Sequence, residues 1–539
     1  MTKSGYQHLV DFLRSEIKDL KNIFILVSLY GLLSITSPLA VQSLVNFIGV
    51  GGSKQPIIIV SLIFFILIIL KGIFLIFEKI IVEYIQRRIF IKNAYDSVDS
   101  LINLNHEDAK KINLTERVNR FFDVIVIQKS VVTLLSIGML TLFQGLVGSI
   151  ALIIYSPFFL FVVIALVAFF FVVIKIIGRN GYSTSVEVSK VKYEFVNWLF
   201  QIANNWDFVN RLSSKKYLSD KTDQIINKFL SKREAHFKIL LHQNISTYIF
   251  YTFISTSMIL LGGYLVINGN INLGQFVAAE VIFFGAISSL IRFVNQLDSY
   301  YELTAAFDKV AQLTQFKGEV YKKNKFPLIH ISQISFTAIN NDFKHISSFE
   351  KLSNQTFKKN KPMLLYCESD HQRNLLSDTF IGKNKYLNEY YKVDNHPYET
   401  LDHQSFLSKV QVIKKNIIFE DTLLNNLKIV QDDLDLAELQ KLLMHFDFYE
   451  DSKSQVDLDH VLNATNLNIS NFQLIKLQVI RALVANPEIL IIDSFFDTLS
   501  PTHTSYLVSK IQSIKHNLIF ILITGNSSVA KLFPKTLKF

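Results

Sequence analysis

The residues best placed for chemistry lie in the last third of the chain. Asp493 closes an apolar run, Ile489-Leu490-Ile491-Ile492. A carboxylate there could hold Mg²⁺, although an Asp closing a buried strand also serves as a helix cap. A second candidate is Cys367-Glu368-Ser369-Asp370-His371-Gln372-Arg373-Asn374-Leu375, which follows the strand-like run Met363–Tyr366. A phosphate-holding loop in such a place needs glycines, because its backbone must curl round the anion with N–H groups inward, and a lysine to reach the outer phosphates. This stretch has no glycine, and Glu368 and Asp370 would repel phosphate. Left-handed backbone at its non-glycine residues would cost about 1–2 kcal/mol each. Arg373 falls where the lysine would stand and Asn374 where a Mg²⁺-binding hydroxyl would; the plainer reading of Arg373 is a cation in a first helical turn. His106, His396, His403, His445 and His460 show no metal-ligand spacing, and no Ser/His/Asp set is recognisable.

The elements that must position these residues follow from the apolar pattern. Of 539 residues half are hydrophobic and 19% charged, and the apolar excess lies before about residue 300. Six segments could cross a hydrocarbon core of about 30 Å, which takes roughly 20 helical residues: 23–48, 56–78, 131–154, 158–177, 245–267 and 274–294. They pair into three hairpins separated by two long polar helical stretches. The hairpin tips, near Gly51, Ser156 and Asn270, share a single Lys54. Lys3, Arg14, Lys18, Lys21, Arg87, Arg88, Lys92, Arg179, Lys190 and Lys192 collect on the other side. Positive residues favour the cytoplasmic side, so both termini are expected inside. The formal charge of +10 is thereby read as membrane orientation rather than nucleic-acid binding. The single Cys367 excludes an intramolecular disulfide. Charges inside spans are costly unless they face a cavity or partner. Lys71, Glu280 and Arg292 are therefore cavity-lining candidates, with Glu78 read as interfacial.

From about residue 317 the texture changes. Residues 317–325 suit a linker between a transmembrane domain, 1–316, and a second domain, 326–539. In the latter, short apolar runs alternate with helical ones: Ile329–Phe336, Met363–Tyr366, Val410–Ile413, Glu488–Ile492 and Leu518–Ile523. Such runs read as buried strands of an α/β domain.

Six spans followed by these elements resemble a half-transporter of the ABC exporter family. Ser28–Val45, the Tyr155-Ser156-Pro157 turn and Gly269–Ala279 look most like its type I secretion and bacteriocin-exporter branch. Ile469-Ser470-Asn471-Phe472-Gln473, running on to Arg481-Ala482-Leu483 and Asp493, resembles the segment from the LSGGQ signature to the Walker B strand. The implied fold is a six-helix transmembrane domain followed by a P-loop-NTPase-like α/β domain lacking most ATP motifs. In that alignment the catalytic glutamate falls on Ser494, the Q-loop glutamine on Lys414, the switch histidine near Gly525, the adenine-stacking aromatic on Ala338 and the D-loop Asp on Ser500. Phe472 and Asn471 replace the signature glycines. Asp493, Ser470, Gln473 and Arg481 survive; Ser470 fits an N-cap, and Gln473 and Arg481 suit a helix surface.

The resemblance therefore implies a vestigial nucleotide site at Arg373, Asn374, Lys414, Ser470, Gln473 and Asp493 in a pseudo-enzyme for which no cofactor is expected. The chain would be a non-hydrolysing half-exporter in a bacterial inner membrane, paired as a homodimer or with another ABC half-transporter, with a periplasmic adaptor as a further partner. An active exporter with an unorthodox site, using ATP and Mg²⁺, and a membrane scaffold are the alternatives.

Overall fold

The structure, a computed structural model, describes residues 5–49, 54–104, 109, 112–314, 328, 330–339, 347–384, 386–431, 433–448, 457–463, 469–514, 517–533 and 536–539. The expected linker at 317–325, the tip at Gly51 and His106 lie outside them. The chain forms two compact units, Met1–Glu319 and Val320–Phe539.

The first unit is helical. Six helical segments are long and apolar enough to cross a membrane: Ile17–Gly49, Lys54–Ile102, Leu114–Tyr155, Pro157–Ile177, Lys216–Ile267 and Leu273–Thr314. At 1.5 Å per residue, helices Lys54–Ile102 and Lys216–Ile267 run to about 75 Å, more than twice the hydrocarbon thickness. Their polar halves thus extend well beyond the apolar spans. The hairpin turns have local causes. Ser156 adopts extended backbone and Pro157 opens the next helical turn, as proline without an N–H can at a first turn. At the third tip Gly269 has φ +70°, and the N–H groups of Gly269 and Asn270 bond the carbonyls of Val266 and Leu265, closing the helix in a Schellman motif. Asn272 then caps Leu273–Asn295 in a reciprocal pair with Gln275.

Two features depart from regular helix. Thr133–Gly138 and Val172–Ile177 are π-helical turns. Ser136 in the first donates at 2.6 Å to Glu78. Glu78, expected at the interface, is buried, with this hydroxyl bond to its carboxylate.

The second unit is α/β. A parallel sheet runs in the order Thr536–Lys538, Met363–Tyr366, Ile519–Thr524, Ile489–Asp493, Val410–Ile413. Its two central strands are fully buried, which explains their unbroken apolar runs. Leu364, Leu490, Ile492 and Leu522 face one core, and Leu365, Ile489, Ile491 and Ile521 the other. A four-stranded antiparallel sheet includes Gln333–Phe336. The run expected from 329 pairs only from Gln333, since the N–H groups of Ile331 and Ser332 go to side-chain acceptors, Glu488 and Asp394.

Candidate functional site

Strand Met363–Tyr366 and helix Asp370–Phe380 are separated by only Cys367, Ser369 and the intervening Glu368. The helix starts three residues before Arg373, so no wide loop exists to wrap an anion. None of these residues has positive φ, so the left-handed strain weighed above is avoided. Arg373 Nη1 donates to the carbonyls of Cys367 at 2.6 Å and Glu368 at 2.9 Å, and its Nη2 to Asp370. The loop thus turns carbonyl oxygens inward around the chain's own cation. That polarity is opposite to the inward N–H groups a phosphate requires. Asn374 is exposed. The Cys367 thiol is buried, donates at 3.1 Å to Gln372, and is pushed up by burial.

Gly525 lies against the Arg373 guanidinium so closely that a Cβ would overlap Nη1. Its N–H donates at 2.9 Å to Asp497, which also accepts from Thr524. Sequence reading missed Asp497; its only signal was that a buried turn after strand Ile519–Thr524 needs an acceptor.

At the other side of the site, Asp493 is buried. Its Oδ1 accepts from Ser494 Oγ at 3.1 Å, and its Oδ2 lies 3.4 Å from Lys414 Nζ. Lys414 is also 3.5 Å from Asp378, a buried carboxylate that no spacing pointed to. Burial pushes the Asp493 carboxyl up, against the pull of Lys414 and Ser494. Ser494 itself sits at φ +56°, a left-handed position rare for a side-chain-bearing residue. A lysine therefore stands where a divalent cation would pair with Asp493.

Helix Asn471–Val484 behaves differently from expectation at one end. Ser470 caps it, with Gln473 returning the bond in a full capping box. Arg481, expected on the surface, is buried. The reason is the loop after Val410–Ile413: Arg481 Nη1 and Gln478 Nε2 both donate to the Ile417 carbonyl, at 2.9 and 3.0 Å. Arg481 thereby anchors the loop that carries Lys414. Phe472 stacks on His503 at 4.4 Å, and Lys476 Nζ lies 4.6 Å from the centre of its ring. Ser500 accepts from the His503 N–H, and Ala338 is exposed. A triphosphate with Mg²⁺ does not fit this arrangement: its cradle holds Arg373, and its metal-side carboxylate holds Lys414.

In the first unit, Lys71 and Arg292 line a cavity of about 180 Å³ together with Ser34, Ser37 and Gln144. Lys71 Nζ lies 4.5 Å from the centre of the Tyr30 ring. Arg292 donates at 3.0 Å to both Gln144 and Ser289. Glu280 is not among the residues that line this cavity. It is rotated round helix Leu273–Asn295 from the lining residues Val281 and Gly285, and its buried Oε1 has no hydrogen-bond partner among the described residues.

Six spans joined to a parallel-sheet α/β unit define the ABC exporter architecture. A solved structure titled "Structure of a bacterial Atm1-family ABC exporter with ATP bound" is similar at TM-score 0.79 and 14% identity, covering 97% of this chain and 94% of that one. The model for the ABC transporter transmembrane region matches residues 20–290, and the chain belongs to that family. No curated protein matched it.

Proposed function

We propose that this chain is a pseudo-ABC half-exporter, a subunit of a transmembrane export complex that does not itself hydrolyse ATP. The observation that carries the reading is the pair of internal cations. Arg373 and Lys414, at the positions aligned with the phosphate lysine and the Q-loop glutamine, are both engaged by the chain's own carbonyls and carboxylates. Ser494 offers no carboxylate to position water, and Phe472 would meet a partner's nucleotide where a glycine is expected. The subunit would work as a homodimer or beside an active ABC half-transporter in a bacterial inner membrane, its termini cytoplasmic. A type I secretion-like role with a periplasmic adaptor is the branch that the sequence motifs favour.

The test is the Mg·ATP affinity of the purified chain, alone and with any ABC partner that co-purifies. The expected outcome is no binding by the chain alone, and partner-dependent binding that is insensitive to Arg373→Ala and Asp493→Ala. Micromolar binding, about −8 kcal/mol, abolished by either substitution would overturn the reading in favour of an active exporter with an unorthodox site.

A further inference from the structure

The cavity at Lys71 and Arg292 presents an unbalanced charge. No Asp or Glu lines it, and among the described residues neither cation pairs with a carboxylate: Lys71 rests on an aromatic ring, and Arg292 on neutral Gln144 and Ser289. Both belong to segments able to cross the membrane, where an uncompensated cation is costly and marks a ligand or ion path. The neutral donors and acceptors fix the Arg292 guanidinium while leaving its charge free, a geometry suited to a planar or tetrahedral oxyanion. The volume of 180 Å³ has room for about six water molecules. That suffices for a charged head but not for a large ligand. Val281 lines the cavity and is exposed, and Phe284, three residues further along the same helix as Arg292, is exposed as well.

We infer that this cavity binds the phosphate or carboxylate head of an amphiphilic molecule through Lys71 and Arg292, its apolar stem lying along Val281 and Phe284. Calling that molecule cargo rests on the export function proposed above; the binding itself does not, since it needs neither ATP nor a partner.

Native mass spectrometry of the purified full chain in detergent, titrated with dodecyl phosphate, dodecanol and inorganic phosphate, tests it. Dodecyl phosphate is expected to bind at least about tenfold tighter than either control, and Lys71→Gln and Arg292→Gln each to weaken it by about tenfold, with Arg292→Lys retaining most of the affinity. Unchanged melting temperatures would certify that the variants fold, and Arg292→Lys guards against a purely structural loss. Phosphatidylglycerol that displaces dodecyl phosphate would assign the head to a membrane lipid; failure to displace would assign it to a smaller amphiphile, and either supports the site. Equal binding of dodecanol, equally tight inorganic phosphate, or an undiminished affinity in the Lys71→Gln/Arg292→Gln double variant would overturn it.

Discussion

Arg373 and Gly525 occupy one space, and the contact is testable residue against residue. An alanine methyl at 525 would overlap the guanidinium, which must then leave the Cys367 and Glu368 carbonyls. Gly525→Ala is expected to destabilise the C-terminal unit by about 1–2 kcal/mol, read as a lower melting temperature of the purified chain. In the Arg373→Ala background the same substitution should cost little, so a double-mutant cycle reports the coupling. Additive losses would show that the two do not interact. Lys414 gives a second case. Lys414→Gln removes the cation facing buried Asp493 and Asp378, at an expected cost of about 1–2 kcal/mol given its partial exposure. Adding Asp493→Asn should recover most of it. At this scale the sequence was half legible. Which residues fall at the family's glycine, glutamate and histidine positions came from the resemblance, because each of those roles calls for one residue type. What the replacements do instead could not. The Lys414–Asp378 pair joins residues 36 positions apart, and only the fold brings them together.

Strands and helix ends were more readable, because their causes are local. Short, largely apolar runs announced Met363–Tyr366 and Val410–Ile413 at their observed bounds, and Ser470 announced a helix start. The short strands Thr356–Lys358, Tyr391–Val393 and Thr536–Lys538 went unread, since three residues carry too little alternation to stand out. The π-helical turn at Thr133–Gly138 was likewise invisible, being set by packing. Two predictions belong here. Ser470→Ala removes the side-chain half of the capping box, the acceptor of the Gln473 N–H, and should cost about 1 kcal/mol, measurable as a lower unfolding midpoint. Glu488, just before strand Ile489–Asp493, accepts from Lys409 at 2.8 Å, Lys359 at 3.1 Å and the Ile331 N–H at 2.7 Å. Burial opposes its ionisation, but these partners outweigh it and bring the carboxyl down to about 2. A depressed carboxylate stabilises fully above its unfolded value and loses that contribution as pH falls through the folded one. Wild type should therefore exceed Glu488→Gln by about 2–3 kcal/mol at neutral pH, and the gap should close between about pH 4 and pH 2. A gap independent of pH would assign the effect to packing instead.

Across the whole molecule the dominant pattern is the partition of charge against apolar length. Helices of 49 and 52 residues are far longer than a bilayer needs, and their polar portions carry Arg87, Arg88, Lys92, Lys228 and Lys232, several held by local ion pairs such as Arg87–Glu83 and Lys228–Glu194. The turn at Asn268–Asn272, by contrast, has no charged residue and is closed by backbone and amide bonds alone. Such a turn can be translocated at little electrostatic cost, whereas the basic helical extensions resist crossing. This predicts one orientation for the chain. In a Cys367→Ser background, single cysteines replace exposed Asn270 and Lys190. A membrane-impermeant maleimide should label position 270 while the membrane that holds the chain is intact, and position 190 only after that membrane is broken. The reverse pattern would invert the topology and place the C-terminal unit outside, where no cytoplasmic nucleotide or partner domain could reach it; equal labelling of both would mean that the intervening span from residue 216 to 267 does not cross the bilayer.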